Sequence, residues 1–208
     1  DMAFSRCHSL PSIELSQSIT SIGAKAFYSC FELASISIPE GITAISDYMF
    51  YNCIALNDVK LNNNIESIGN NAFAFCTSLN EITIPNSVKS IGNSAFSNCG
   101  ALTKVELGIG VESIGNYAFI YCKSLNSVVL PNSVKELGSY AFNSCERLTN
   151  IELSNALTSI GDSTFTNCNS LVTITIPADV SSIGDNAMFG CSKLTTVNCL
   201  ATTPPTLG

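Results

Sequence analysis

Residues 79–99 read LNEITIPNSVKSIGNSAFSNC. The first part alternates: Leu79, Ile82 and Ile84 are apolar, while Glu81 and Thr83 are polar. Period two with β-branched residues predicts a strand with one buried face. Pro85 stops it, because proline has no N–H to give to a ladder. A second short apolar pair, Val88 and Ile91, leads to Gly92. That glycine marks either a turn with an unusual backbone angle or a close approach of two chain segments. Asn93 is then a capping-type residue, and Ala-Phe-x-x-Cys over 95–99 places Phe96 and Cys99 on one side of a helical turn. The unit is therefore read as strand, turn, short second strand or bend, and one or two helical turns.

The same stretch recurs through the chain. Cys falls at 7, 30, 53, 76, 99, 122, 145, 168 and 191, an interval of 23 each time. Phe falls at 4, 27, 50, 73, 96, 119, 142 and 165, and Met188 continues that column. Leu does the same from Leu10 to Leu194. Gly23, Gly69, Gly92, Gly115, Gly138, Gly161 and Gly184 form another column, with Ser46 the exception. Capping-type residues follow it: Asp47, Asn70, Asn93, Asn116, Ser139, Asp162 and Asp185. One such unit cannot bury its own apolar face. Stacked units can, and each column becomes an internal ladder. Strands stack at about 4.8 Å, whereas a helical segment with side chains is up to about 10 Å wide. The expectation is a leucine-rich-repeat-type solenoid, one domain over 1–208, of nine 23-residue units with the first and last partial. It should curve as a right-handed superhelix, with the parallel sheet concave and short helical turns convex.

Composition narrows the function. Of 208 residues, 46% are hydrophobic and only 12% charged, with a formal charge of −7. Nucleic-acid binding draws on Lys and Arg against phosphate, and nine scattered basic residues make no patch, so no nucleic-acid partner is expected. No apolar run approaches the ~18 residues of a membrane span, so no direct membrane insertion is expected. There is no signal peptide, and the chain opens at Asp1 without Met. This fits a mature secreted protein or a fragment. The absence of an N-x-Ser/Thr site fits a bacterial origin.

Ten cysteines invite a disulfide framework. The registration argues otherwise. Nine form one column with parallel Cβ vectors, at least about 4.8 Å apart, while a disulfide needs Cβ atoms at about 3.8 Å that face each other. Cys199 takes the inward strand position of Leu107, Leu130 and Ile176. Ten reduced thiols are expected, acting as small hydrophobes. One thiol per coil and a single histidine, His8, do not make the four converging ligands of a structural zinc site. No cofactor or metal is expected, and with nothing pointing at His8 no catalytic pair is either.

The polar side chains that do no packing gather on the strand face. One outward column reads Glu14, Ser37, Lys60, Thr83, Glu106, Val129, Glu152, Thr175, Asn198. The other reads Ser12, Ser35, Asp58, Glu81, Lys104, Ser127, Asn150, Thr173, Thr196. Glu14, Asp58, Lys60, Glu81, Thr83, Lys104, Glu106, Glu152 and Thr175 are the candidate partner-binding residues. They serve either as cross-strand charge pairs on a wet sheet or as a polar patch for a protein or glycan. The face carries no aromatic residue, and aromatics usually supply hot spots, so contact there should be weak, broad or multivalent. Tyr28, Tyr51, Phe75 and Tyr121 lie on the turn side, where they are expected to complete packing.

The motifs L-x-x-I-x-I-P (Leu79–Pro85) and S-I-G-x-x-A-F-x-x-C (Ser90–Cys99) resemble the BspA-like leucine-rich repeat proteins. The likeness covers nearly the whole chain. It implies a secreted or cell-surface bacterial protein that attaches to host proteins, host cells or other bacteria; it transfers no binding residues. One departure is that the position after the strand is mixed (Gly41, Asn64, Ser87, Gly110, Asp179), so no continuous Asn ladder is expected. The first reading is thus a non-enzymatic binding or adhesion module. A structural stalk in a larger surface protein is the alternative. A carbohydrate-active β-helix enzyme fits less, because it needs clustered charges and three strands per coil. A Thr-Pro-Pro stretch ends the chain where the family often adds another Phe-containing turn. Flanking domains or end-to-end self-association are accordingly expected.

Overall fold

A computed structural model describes residues 1–208. Each coil contributes two strands, and strands of successive coils pair in parallel. The longer strands are Ser35–Ser37, Asp58–Lys60, Glu81–Thr83, Lys104–Glu106, Ser127–Val129, Asn150–Glu152, Thr173–Ile176 and Thr196–Cys199. The shorter row runs Ala44–Ile45, Ser67–Ile68, Ser90–Ile91, Ser113–Ile114, Glu136–Leu137, Ser159–Ile160, Ser182–Ile183 and Thr206–Leu207. Pairing is in register at one unit, as in Ile82 with Val105 and Ile68 with Ile91. Glu81 and Thr83 are exposed about a buried Ile82, which is the alternation the sequence predicts.

The columns run through the interior. From Phe27 to Phe165 every column phenylalanine is buried. Consecutive rings stack at 5.2–6.0 Å between centroids. Cys30 to Cys168 are buried as well. Each thiol from Cys30 to Cys191 donates to the carbonyl of the preceding coil's phenylalanine, at 3.0–3.3 Å. Burial pushes the Cys53 and Cys99 thiols up to about 12. Cys199 corrects the expectation: its strand is the outermost of the row, and the side chain is exposed.

The convex side differs from expectation. There are no helical turns; the A-F-x-x-C arc is non-helical. In the second coil Lys25, Phe27 and Ser29 donate their N–H groups to Asp47, Met49 and Tyr51 of the next coil. The carbonyls of Ala24, Ala26 and Tyr28 accept from Met2, Phe4 and Arg6 of the coil before. The C=O of one residue and the N–H of the next share a peptide plane. Three peptide dipoles per coil therefore point along the solenoid axis in one direction and link into chains, as dipoles align in a helix. The reason is geometric. Strand pairing fixes the rise per coil near 4.8 Å, too little for a helix about 10 Å wide, so alternate N–H groups of the arc bond between coils while those between them close tight turns within it, as Tyr28 N–H does on Lys25 C=O and Cys30 N–H on Phe27 C=O. Most of the width difference from which curvature was expected is then absent.

This arc requires left-handed backbone twice per coil. Lys25 and Ser29 have φ of 59° and 55°, and the pattern repeats at Tyr48 and Asn52, Asn71 and Phe75, and Tyr117 and Tyr121. Aromatic residues rarely adopt this conformation; the bonds on both sides hold it. Asn52, Asn71, Asn98, Asn167, Asn186 and Gly190 are the signal that could have found these columns, since Asn and Gly favour this conformation.

For the glycine column the structure selects one of the two sequence readings, and for the capping-type column it departs from the reading. The glycines lack positive φ apart from Gly190, which lies outside the column. What they need is room: a Cβ on Gly92 would sit 2.7 Å from both Asn70 N and Gly69 C. The capping-type residues cap no helix. Their side chains accept from the next coil's backbone: Asp47 Oδ1 from Asn70 N–H at 2.6 Å, Asn70 Oδ1 from Asn93 at 2.8 Å, and Asn93 Oδ1 from Asn116 at 2.8 Å. A polar ladder therefore exists, six residues after the position first considered. The Thr-Pro-Pro stretch also leads somewhere. Thr206 and Leu207 pair with Ser182 and Ile183, and Thr206-Leu207-Gly208 restates the Ser-Ile-Gly motif one residue late.

Candidate functional site: a cleft in the strand face

The strand face is not continuous. Asp58–Lys60 pairs only with Ser35–Ser37, and Glu81–Thr83 only with Lys104–Glu106. Between the two lies an open depression of about 720 Å³. The same two coils stay joined elsewhere. Ser67–Ile68 pairs with Ser90–Ile91, and Tyr48, Phe50 and Asn52 donate across the arc at 2.7–2.9 Å. The core registers the opening as a tilt: the planes of Phe50 and Phe73 differ by 16°, against 3–7° at the other junctions of the column. The coils are hinged apart on the strand side alone. Val59, at the lip, is only half-buried, whereas its column mates Ile36, Ile82 and Val105 are buried.

A second break separates Asn150–Glu152 from Thr173–Ile176. Here the short strands Glu136–Leu137 and Ser159–Ile160 are unpaired as well, and Phe142 and Phe165 stand 6.0 Å apart. This junction is spread rather than tilted. Both breaks border a coil that departs from alanine before the column phenylalanine. Met49 and Thr164 stand where Ala26, Ala72, Ala95, Ala118, Ala141 and Ala187 stand in their coils. Added volume in a packed interior is taken up by backbone displacement.

Of the sequence-predicted residues, Asp58, Lys60, Glu81, Thr83, Lys104 and Glu106 all line the first cleft. Glu152 and Thr175 line a smaller one, of about 210 Å³, at the second break. Glu14 joins neither; it is exposed beside the single bridge from Ser12 to Ser35. In the first cleft Lys104 forms an ion pair with Glu106, and Thr83 donates to Glu106 Oε2 at 3.1 Å. The hydrogen bond to Glu106 raises the Lys104 ammonium above its ordinary value. The bonds from Lys104 and then Thr83 lower the Glu106 carboxyl. Both groups are fully exposed, so the pair orients side chains more than it stabilises the fold. Asp58 and Glu81 occupy equivalent positions on the two lips.

The turn side carries aromatic rings. Tyr28 and Tyr51 stack at 5.0 Å, and Phe75 meets Tyr51 edge-on at 5.4 Å. Tyr28 and Tyr51 are half-buried, in line with a packing role, but Phe75 and Tyr121 are 37% and 43% exposed. His8 lies flat on Phe31, 4.4 Å between centroids. No helix is long and apolar enough to cross a membrane.

Parallel coils with apolar columns inside and a polar strand face outside define a leucine-rich-repeat-type solenoid. The chain belongs to the BspA type leucine rich repeat family, whose model matches residues 1–125 and 89–204 with 6 copies. Solved structures of bacterial proteins share the fold. A leucine rich cell surface protein from Faecalibacterium prausnitzii A2-165 is 27% identical with a TM-score of 0.56, covering 99% of this chain and 72% of that one. A leucine-rich repeat protein from Bacteroides ovatus ATCC 8483 is 25% identical with a TM-score of 0.62, covering 100% and 76%. The leucine rich repeat protein of T. pallidum is 28% identical with a TM-score of 0.59, covering 89% and 78%. The comparison with curated proteins gives no match.

Proposed function

We propose that the chain is a non-enzymatic binding module of a secreted or cell-surface bacterial protein, engaging a protein or glycan through its strand face. The observation that carries this reading is the convergence of six unpacked polar side chains on one open cleft, the larger of the two at breaks in the strand face. Family membership and the likeness to a bacterial cell surface protein support the location. The chemistry of the cleft fits binding. It offers carboxylates, ammonium groups and a hydroxyl in the open, so specificity comes from charge position and affinity from many modest contacts.

A glycan and extracellular-matrix protein array probed with the whole chain tests this. Wild type should bind a restricted set of spots, and Lys60→Ala, Lys104→Ala or Glu106→Ala should reduce the signal. Binding that ignores all three substitutions would move the site elsewhere. An array without signal would favour the stalk, in which the face serves only as a wet surface.

A further inference from the structure

The cleft has a backbone as well as side chains. We propose that it receives one extended strand of a partner polypeptide, with a basic, an apolar and an acidic residue in succession. This rests on the strand-face reading above and specifies its ligand.

In a parallel ladder successive residues turn their N–H and C=O groups to opposite neighbours. Asp58 N–H donates to Ala34, and Lys60 C=O accepts from Ile38 N–H, so the backbone of Val59 faces the gap. On the other lip Ile84 N–H donates to Glu106, and Asn80 C=O accepts from Thr103 N–H, so Glu81 and Thr83 face it. Neither lip pairs with the other. Backbone groups left unpaired in a sheet are a template for a further strand.

The side chains define which strand. Asp58 and Glu81 share one column, and like charges in that relation repel. A basic residue between them replaces the repulsion with two attractions. Two residues along, Lys60 has no ion-pair partner, and an acidic residue beside it supplies one. Between these positions the inward column contains half-buried Val59, which an apolar side chain would cover. The charge complement of Asp58-Val59-Lys60 is thus a basic–apolar–acidic triplet. Lys104-Val105-Glu106 has this form, but it lies two coils away with Glu81-Ile82-Thr83 between.

The probe is the acetylated, amidated peptide ALTKVELG, copying residues 101–108, added to the whole chain. In the free protein the amides of Val59, Glu81 and Thr83 should exchange with solvent at least tenfold faster than that of Ile82, which faces a paired strand. Peptide should slow them at least tenfold. Lys60→Glu and Glu81→Lys should each weaken binding tenfold or more, with circular dichroism confirming the fold, while Glu152→Lys at the second break should not. Equal protection of Val59 and Ile82 in the free chain would mean a closed ladder and overturn the proposal. So would absence of binding at millimolar peptide, or binding indifferent to both charge reversals. Any of these results leaves array binding by the rest of the face untouched, so the two readings fail separately.

Discussion

Phe119 and Phe75 are the same residue type on the turn side of two different coils, in opposite situations, which makes a sharp test of what holds the solenoid together. The Phe119 ring is fully buried and lies between Phe96 and Phe142, at 5.2 and 5.3 Å. Truncation to alanine leaves a void walled by two rings that the backbone ladders hold at fixed spacing, so collapse is limited. About 4 kcal/mol should be lost, the middle of the range for buried aromatic truncations. Phe75 is 37% exposed and has one ring neighbour, Tyr51, met edge-on. Its removal should cost about 1 kcal/mol, the scale of one aromatic pair. The difference of about 3 kcal/mol is roughly two orders of magnitude in the folding equilibrium. Guanidinium unfolding at 25 °C with reductant present, followed by circular dichroism, measures both variants against wild type. If Phe119→Ala falls within about 1 kcal/mol of wild type, or if Phe75→Ala is equally damaging, the phenylalanine ladder is not the main source of cohesion.

Four further outcomes are expected. Gly92→Ala should lower stability by about 1–3 kcal/mol, since its Cβ would meet backbone of the preceding coil at 2.7 Å; Gly100→Ala, with nothing within 4 Å, should not, and thermal melts compare them. Asn93→Ala should cost about 1 kcal/mol by removing the acceptor for Asn116 N–H, while Asn93→Asp keeps an oxygen there, as Asp47 does at 2.6 Å; chemical denaturation of the pair decides. The thiols predict the alkaline limb of stability. Folded Cys53 and Cys99 hold their protons to about 12, whereas in the unfolded chain they ionise near 9. The stability they contribute is therefore complete below about pH 9 and drains away between there and about pH 12. Cys99→Ala should make that decline shallower by up to about 1.4 kcal/mol per pH unit, and an unchanged slope would count against a buried, protonated thiol. A thiol reagent on native protein should modify exposed Cys7 and Cys199 well before the buried column.

The sequence was informative about whatever repeats. The buried Phe, Cys and Leu columns, the alternation around Ile82 and the polar strand face could all be read from the interval of 23. It was misleading about the arc, because Ala-Phe-x-x-Cys has the spacing of a helical turn, and spacing alone cannot tell bonding within a coil from bonding between coils. The capping residues were misread for the same reason: Asn93 could serve its own turn or the coil above. The glycine column left two explanations open, and only the position of Asn70 N selects between them. Thr206-Leu207-Gly208 could have been found as a shifted Ser-Ile-Gly, but an extra residue breaks the register that made the other copies visible.

What the sequence determined by itself was the inside of this protein, because identical residues at a fixed interval can satisfy their burial only by stacking on one another. What the tertiary structure decided was the joint between coils: the axial peptide chains of the arc, and the places where strands part. Those depend on how a common rise is shared among three sides of a coil. Met49 or Thr164 in an alanine column alters that share without altering the repeat, so the cleft between Asp58 and Glu81 is a property of the stack and of no single unit.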